Sequence, residues 1–342
     1  MIAEAAYSDA DRDRMRDLLV TLEIYTVNAH GAVRRKQTTS PRWAWLRKNR
    51  GDFDRQPEDE TESIEITATG RDDWIGWVEL ATETTDEVTT RLTAKVIAEV
   101  DAHIIGVIEA QDRPSLSRFN RDLLGMYRHV MLVDGNDDRG IDVGLMTKTG
   151  FDILDIRSHV DDEDDTGLVF SRDCADYEVR IPGNGTLHVV VNHFKSQSGG
   201  GGSKRKRQAI RLREIVDEIV AAGDAAVVLG DFNEGQADEG TPAANFAPLF
   251  DPNGPLVACY DLPSFDPGPR LGTFDSCGIR NRLDYIFVTR ELAPAVTGGG
   301  LLRKGLWGSR KTRPTAWSTY PEMTNRSQQA SDHAAAFLDL TL

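Results

Sequence analysis

The chain has 342 residues, 39% of them hydrophobic and 28% charged, and a formal net charge of −15. That length buries a large core and is accommodated by one α/β domain, while no apolar run approaches the ~18 residues needed to span a membrane. So large an acidic excess disfavours broad, sequence-independent binding to duplex nucleic acid, whose phosphates are met by Lys and Arg.

The first segment lacks the basic start, apolar core and cleavage site of a signal peptide, so a cytoplasmic protein is expected. Residues 9 to 19 predict a short polar helix, and LEIYTVN at 22 to 28 alternates as a strand ending on Asn28. From about 32 to 72 the composition turns polar and charged, with Trp43 and Trp45 among few large apolar residues, which predicts an elaborated loop or insertion within the single domain. DDWIGWVEL at 73 to 81 reads as a short strand or turn, and apolar spacing through Val88, Leu92, Val96 and Ile97 predicts a helix over 86 to 100. It feeds the strand AHIIGVIEA, which carries Glu109. A helix near 114 to 125, strands at 129 to 133 and about 141 to 147, an acidic turn at 161 to 165 and strands at 177 to 181 and 187 to 193 follow.

Past the glycine-rich QSGGGGSKRKRQ, a helix is predicted over 207 to 222 with Ile210, Ile215, Ile219 and Val220 on its buried face, then the strand AAVVLGDFN. LDYIFVT and HAAAFLDLTL supply the last strands. Meander stretches mixed with strand–helix units predict an α/β (α+β) sandwich of two mixed sheets flanked by helices, four layers in all. Cys174, Cys259 and Cys277 lie far apart with no CxxC pair, which points to buried small hydrophobes.

Carboxylate, amide and imidazole side chains recur where apolar strands stop: Asn28, Glu109, His193, Asp231, Asn233, Asp284, Asp332 and His333. Singly, each is as readily a turn or cap residue; their recurrence carries the argument. Glu109 ends the run IIGVI, where a carboxylate is costly unless neutralised, as a hard cation such as Mg²⁺ does. Asp231 and Asn233, two apart, share a side of an extended chain and together can orient a water and hold a phosphate oxygen. The acids of a calcium loop do not follow in residues 235 to 242. Asp332 and His333 are neighbours and face one site only if the chain bends there.

Asn28, Glu109, NHFKS at 192 to 196, GDFN at 230 to 233, RLDY at 282 to 285 and SDH at 331 to 333 resemble, in order, the motifs of the endonuclease/exonuclease/phosphatase superfamily over residues 22 to 340. The resemblance implies a deoxyribonuclease I-like sandwich and hydrolysis of phosphate esters with Mg²⁺ or Mn²⁺. It implies Glu109 as the principal metal ligand, helped by Asn28 and Asp332, with Asp284 orienting His333. Asp231 would position the attacking water, with Asn233 and His193 on the phosphate. General base and phosphate-binding imidazolium both remain open for His333.

Arg139, Lys195, and Arg205 and Arg207 of the KRKR run are the basic side chains available to a substrate, each equally readable as a solvated charge. A phosphodiester is the expected substrate, DNA and RNA included, with a phosphomonoester or small diester as the alternative and a non-catalytic scaffold behind both. No obligatory protein partner is evident. The long polar segment between Asn28 and Glu109, and the opening TVNAHG, depart from better-known members.

Overall fold

Ser8 and Asp11 exchange hydrogen bonds, Asp11 N–H to Ser8 Oγ at 3.2 Å and Ser8 N–H to the Asp11 carboxylate at 2.9 Å, forming a capping box that starts helix α1 (Asp9–Thr21). The computed structural model describes residues 2–36, 44–80, 87–197, 201–236, 242–309 and 312–342. The chain divides into two compact units, Met1–Thr85 and Asp86–Leu342.

In the first unit, α1 precedes β1 (Tyr25–Val27), β2 (Val33–Arg35), β3 (Ala44–Arg50), β4 (Asp54–Arg55), β5 (Glu65–Ile66) and β6 (Ile75–Leu80), paired antiparallel as β1–β2, β3–β6 and β4–β5. Where described, the polar stretch read as a loop thus carries four of these strands; Trp43 lies outside the described residues. It folds because a few apolar side chains converge: Phe53, Ile64, Ile66 and Trp74 are buried with Met15, Leu19 and Tyr25, the Phe53 and Trp74 rings 4.6 Å apart. Short paired strands need only one buried residue each, too sparse to register as hydrophobic periodicity.

The second unit runs α2 (Glu87–Val100), β7 (Ile104–Ala110), α3 (Arg113–Phe119) continuing into a π turn at Asn120–Leu124, β8 (His129–Val133), β9 (Asp142–Thr147), β10 (Ile153–Arg157), the hairpin β11 (Glu163–Asp164) and β12 (Gly167–Leu168), β13 (Cys174–Ile181) and β14 (Gly185–His193). There follow α4 (Gly202–Ala221), β15 (Ala226–Asp231), β16 (Leu256–Ala258), β17 (Phe265–Asp266), β18 (Asp284–Thr289), β19 (Val296–Leu302) and β20 (Ala335–Leu340). A six-stranded sheet has the order β10-β13-β14-β15-β18-β16, with β14 and β15 parallel and its other pairs antiparallel.

Facing it are two three-stranded sheets, β7-β9-β8 and β17-β19-β20. Val189, Val191, Val227 and Val288 pack between these layers, whereas Val190, Val228 and Phe287, on the other face of the same strands, pack under Leu212, Ile215 and Val216 of α4. On the far side α3 closes over β7–β9 through Leu116, Leu132 and Met146. Helix, sheet, sheet and helix make the four layers expected. Among the described residues β7 and β20 each keep one edge unpaired, and a cavity of about 670 Å³ lined by both strands reaches Asp284 and His333.

Two expectations are corrected. Helix α4 begins at Gly202, so the basic run forms its first turns instead of preceding it. Its buried face is Arg205, Gln208, Ala209, Leu212, Ile215, Val216 and Ile219, while Ile210 and Val220 are 42% and 37% exposed; with 100° per residue both fall off the stripe that Ile215 and Ile219 define. Strand β19 escaped the reading because its sequence is VTGGGLL, but a Cβ on Gly299 would lie 2.7 Å from the Phe337 carbonyl oxygen, so the close approach of the β20 backbone requires glycine.

Phe232, fully buried between Asp231 and Asn233, meets Phe194, Phe246, Tyr285 and Phe287 at 4.9 to 6.0 Å. It anchors the loop on which the site depends. Phe232→Ala is expected to cost about 3–5 kcal/mol of stability, read as a lowered midpoint in urea at unchanged m.

Candidate active site

Strand register assembles the centre. His193 is paired with Asp231 across the parallel β14–β15 ladder, and Asp231 with Asp284 across the antiparallel β15–β18 ladder. Directly opposed residues share a face, so imidazole and two carboxylates stand side by side on neighbouring strands. His333 reaches them from the bend before β20: Ala334 N–H donates to Thr273 C=O, Phe274 and His333 form an isolated bridge, and His333 Nδ1 lies 2.7 Å from Asp284 Oδ2. Thr273, fully buried, accepts at Oγ1 from the N–H groups of Leu283 and Asp284, which sets the start of β18.

Glu109 enters from the opposite sheet. The β7–β9 register slips between Ile108 and Ala110, and Glu109 has φ of 61°. An inserted residue re-aims its side chain out of the ladder, and a left-handed glutamate is a conformation held at a cost. Its carboxylate is 60% exposed and lies 3.7 Å from His193 Nε2, which is also 3.7 Å from Asp231 Oδ2. Asn233 is a second non-glycine residue at positive φ, 51°. Its backbone N–H donates to Asp231 Oδ1 at 2.8 Å, and its Nδ2 donates to Asp231 Oδ2 at 3.0 Å and Phe194 C=O at 3.1 Å. Both amide hydrogens being committed, Oδ1 is what Asn233 offers a ligand.

Electrostatics separate the two histidines. His193 is 3% exposed; burial, with the nearby Arg172 charge, pushes its pKa down to about 3, so it is neutral and the 3.7 Å contacts are not ion pairs. Its Nδ1 is buried with no hydrogen-bond partner. For His333 burial also opposes the charge, but the Asp284 and Asp231 carboxylates outweigh it and raise the pKa to about 10. Asp231 is pushed up by burial and then by the Asp284 charge.

One donor atom each from Asp231, Asp284 and His333 lies within 4.8 Å of the others. The two carboxylates of this group suit a hard divalent cation: lying this close, one of them destabilised as an anion, they are relieved by positive charge, and Glu109 adds an accessible carboxylate beside His193, whereas His333 as an imidazolium has no lone pair to offer a metal.

The other expected site residues have these surroundings. Asn28 lies in the first unit, where its Oδ1 accepts from the N–H groups of His30 and Ala32 at 3.0 Å and its Nδ2 donates to Glu60 C=O, closing the β1–β2 turn. Asp332 occupies the bend anticipated there, its side chain exposed and its carbonyl accepting from Asp275 N–H at 3.1 Å. Lys195 is half-buried just past His193. Arg205 is buried, paired with Glu234 and donating to the carbonyls of Lys195 and Ser196 at 3.1 Å; Arg207 pairs with Asp164 and donates to Gly167 C=O at 2.6 Å. Arg139 is exposed and grips Asp137 with Nε and Nη2, both at 2.9 Å. Arg172, Asp137 and Thr273 were missed by the sequence reading. A charged pair, Arg172–Asp173, interrupting the apolar run into β13 was the signal for the first.

Residues 78–333 match the model of the Endonuclease/Exonuclease/phosphatase family. The chain belongs to that family. Membership makes it a hydrolase of phosphate esters, and the match leaves Asn28 outside its bounds. No curated protein matches it at the sequence level. Among solved structures it is similar to a mannosyl-6-phosphatase of Bacteroides thetaiotaomicron (18% identity, 74% of this chain and 91% of that one, TM-score 0.54). It is also similar to an endonuclease/exonuclease/phosphatase of Bacteroides vulgatus (19%, 75% and 91%, 0.53) and to truncated TDP2 of Caenorhabditis elegans (18%, 73% and 89%, 0.50). At these identities the likeness establishes the fold. Among the described residues of this family member, no helix is long and apolar enough to cross a membrane.

Proposed function

We propose that this family member is a Mg²⁺- or Mn²⁺-dependent phosphodiesterase, nucleic acid being one class of diester it accepts. The observation that carries the reading is the row His193–Asp231–Asp284 closed by His333 at 2.7 Å, opposite a Glu109 displaced from its ladder. Glu109, with Asp332 as a further oxygen ligand, would hold the cation, whose charge would neutralise the non-bridging phosphate oxygens.

The protein's own groups supply the rest. Asp231, fixed by two Asn233 donors, holds the attacking water and accepts its proton as the new O–P bond forms. His333, kept as imidazolium by Asp284, donates to the phosphate and protonates the departing oxygen as the old P–O bond breaks. His193, uncharged and shielded, faces the phosphate without repelling the cation. Of the two roles open for His333, its raised pKa favours the imidazolium.

A second reading, a phosphomonoesterase or small-diester esterase, is favoured by the internal pairing of Arg205 and Arg207, which removes much of the basic run's charge from a polyanion's reach in a chain of net charge −15. The test is a panel of plasmid, single-stranded DNA, RNA, a bis-aryl phosphodiester and an aryl phosphomonoester with each metal and with chelator. Chelator-sensitive cleavage of diesters is expected; cleavage of the monoester alone selects the second reading, and hydrolysis of nothing sinks both.

A further inference from the structure

Beside the Glu109–His193 half of the centre lies a network of charge that the roles above leave unused. Arg139, on the loop between β8 and β9, is 63% exposed and holds both oxygens of Asp137, which also accepts Arg139's own N–H at 3.1 Å. Asp137 is clamped from below by Arg172, an ion pair of 2.9 Å, and Arg172 is 1% exposed. Arg172 Nη1 donates at 3.1 Å to Phe194 C=O, the same carbonyl that receives the Asn233 amide at 3.1 Å. From Asn233 the path continues to Asp231. An unbroken chain of charged and polar contacts therefore links an accessible guanidinium to the carboxylate that holds the water.

Burying a guanidinium is expensive, and a buried ion pair is often no more stable than an apolar replacement, so stability is a poor account of Arg172. Its planar guanidinium reaches the Asp137 carboxylate through Nε and the Phe194 carbonyl through Nη1, a fixed spacing that the single nitrogen of a lysine does not reproduce. The Arg139 charge acts on both Glu109 and His193, so the guanidinium belongs to that half of the centre.

We propose that Asp137 and Arg172 are positioning residues: their ion pair fixes Arg139 over the cleft as a binding group for an anionic oxygen of a phosphate ester and, through the Phe194 carbonyl, fixes the Asn233 amide against Asp231. The inference rests on the phosphoester reading above and adds a specificity element, because Arg139 rewards an ester that retains a negative oxygen. The Arg139 hold keeps the Asp137 carboxyl down at about 2, so the network stays charged throughout the neutral range.

The test compares wild type, Asp137→Asn, Arg139→Gln, the double variant and Arg172→Lys. Calorimetric affinity for inorganic phosphate and steady-state hydrolysis of a bis-aryl phosphodiester are measured, with thermal midpoints as control. Loss of one charge-assisted hydrogen bond to phosphate corresponds to about tenfold or more in affinity. Arg139→Gln and Asp137→Asn are each expected to weaken phosphate binding and raise KM by that factor, the double variant no more than either alone, since both act through one contact. Arg172→Lys is expected to lower kcat as well, through the loosened Asn233.

Multiplying effects in the double variant, or Asp137→Asn binding phosphate as wild type does, overturns the inference. If Asp137→Asn does not fold, Asp137→Glu, longer by one methylene, must weaken binding with Arg139 present and not in Arg139→Gln. Phosphate binding that follows this pattern in a protein that hydrolyses nothing sinks the hydrolase reading alone; wild type that binds no phosphate sinks the inference.

Discussion

Replacing His333 with alanine is expected to lower kcat by about 10²–10⁴-fold, the range that a positioned proton-transfer group contributes, while KM for a diester changes little. Asp284→Asn should fall short of that loss, because the imidazole remains but the carboxylate 2.7 Å from Nδ1 no longer holds it charged. The paired measurement is steady-state hydrolysis of a bis-aryl phosphodiester at saturating metal. Equal activity in His333→Ala and wild type would remove the imidazole from the reaction.

A second signature of the same pair needs no substrate. The folded-state pKa of His333 is raised to about 10 from an ordinary value near 6.5. A base whose folded pKa is raised contributes stability that is fully present below the unfolded pKa and lost as pH rises through the folded one. In chelator, the midpoint difference between wild type and His333→Gln should therefore be largest at pH 6 and shrink towards pH 10. A difference flat over that range would mean that folding does not raise the imidazole pKa.

Glu109→Ala is expected to reduce kcat/KM by about 10²–10³-fold at a fixed metal concentration, comparable to removing one preorganised charge-stabilising group from a transition state, and excess Mn²⁺ should restore part of the loss. Partial rescue identifies metal binding as the lesion. Because Glu109 sits at a bulge with φ of 61°, Glu109→Gly tests the backbone separately. It should match Glu109→Ala in activity yet be more stable than Glu109→Ala, since glycine relieves the strained conformation and alanine does not. If glycine is no better tolerated than alanine, the bulge conformation is not strained as argued.

Much of the fold was readable in order along the chain. Helix α2 and strands β7, β8, β9, β14, β15 and β18 announce themselves through period and apolar density. Strands β10, β16 and β19 do not, being short, half-exposed or rich in glycine. The first unit was hidden because its core is assembled from residues as distant as Met15 and Trp74 with polar sequence between them.

The site was legible as a set and not as an arrangement. Strand-end chemistry in family order singles out Glu109, His193, Asp231, Asn233, Asp284 and His333, and these come together. Arg205 and Arg207 stand out as positive charge, yet a linear sequence does not reveal the acids that meet them, Glu234 and Asp164, 29 and 43 residues away.

The sequence by itself determined the reaction class, because residue type and order specify which functional groups can meet at strand ends. Only the tertiary structure decided their working states. Burial makes His193 neutral, the Asp284 carboxylate makes His333 a cation, and a ladder slip turns Glu109 outward. Each depends on solvent exclusion, charge proximity or strand register, quantities set by residues far apart in the chain.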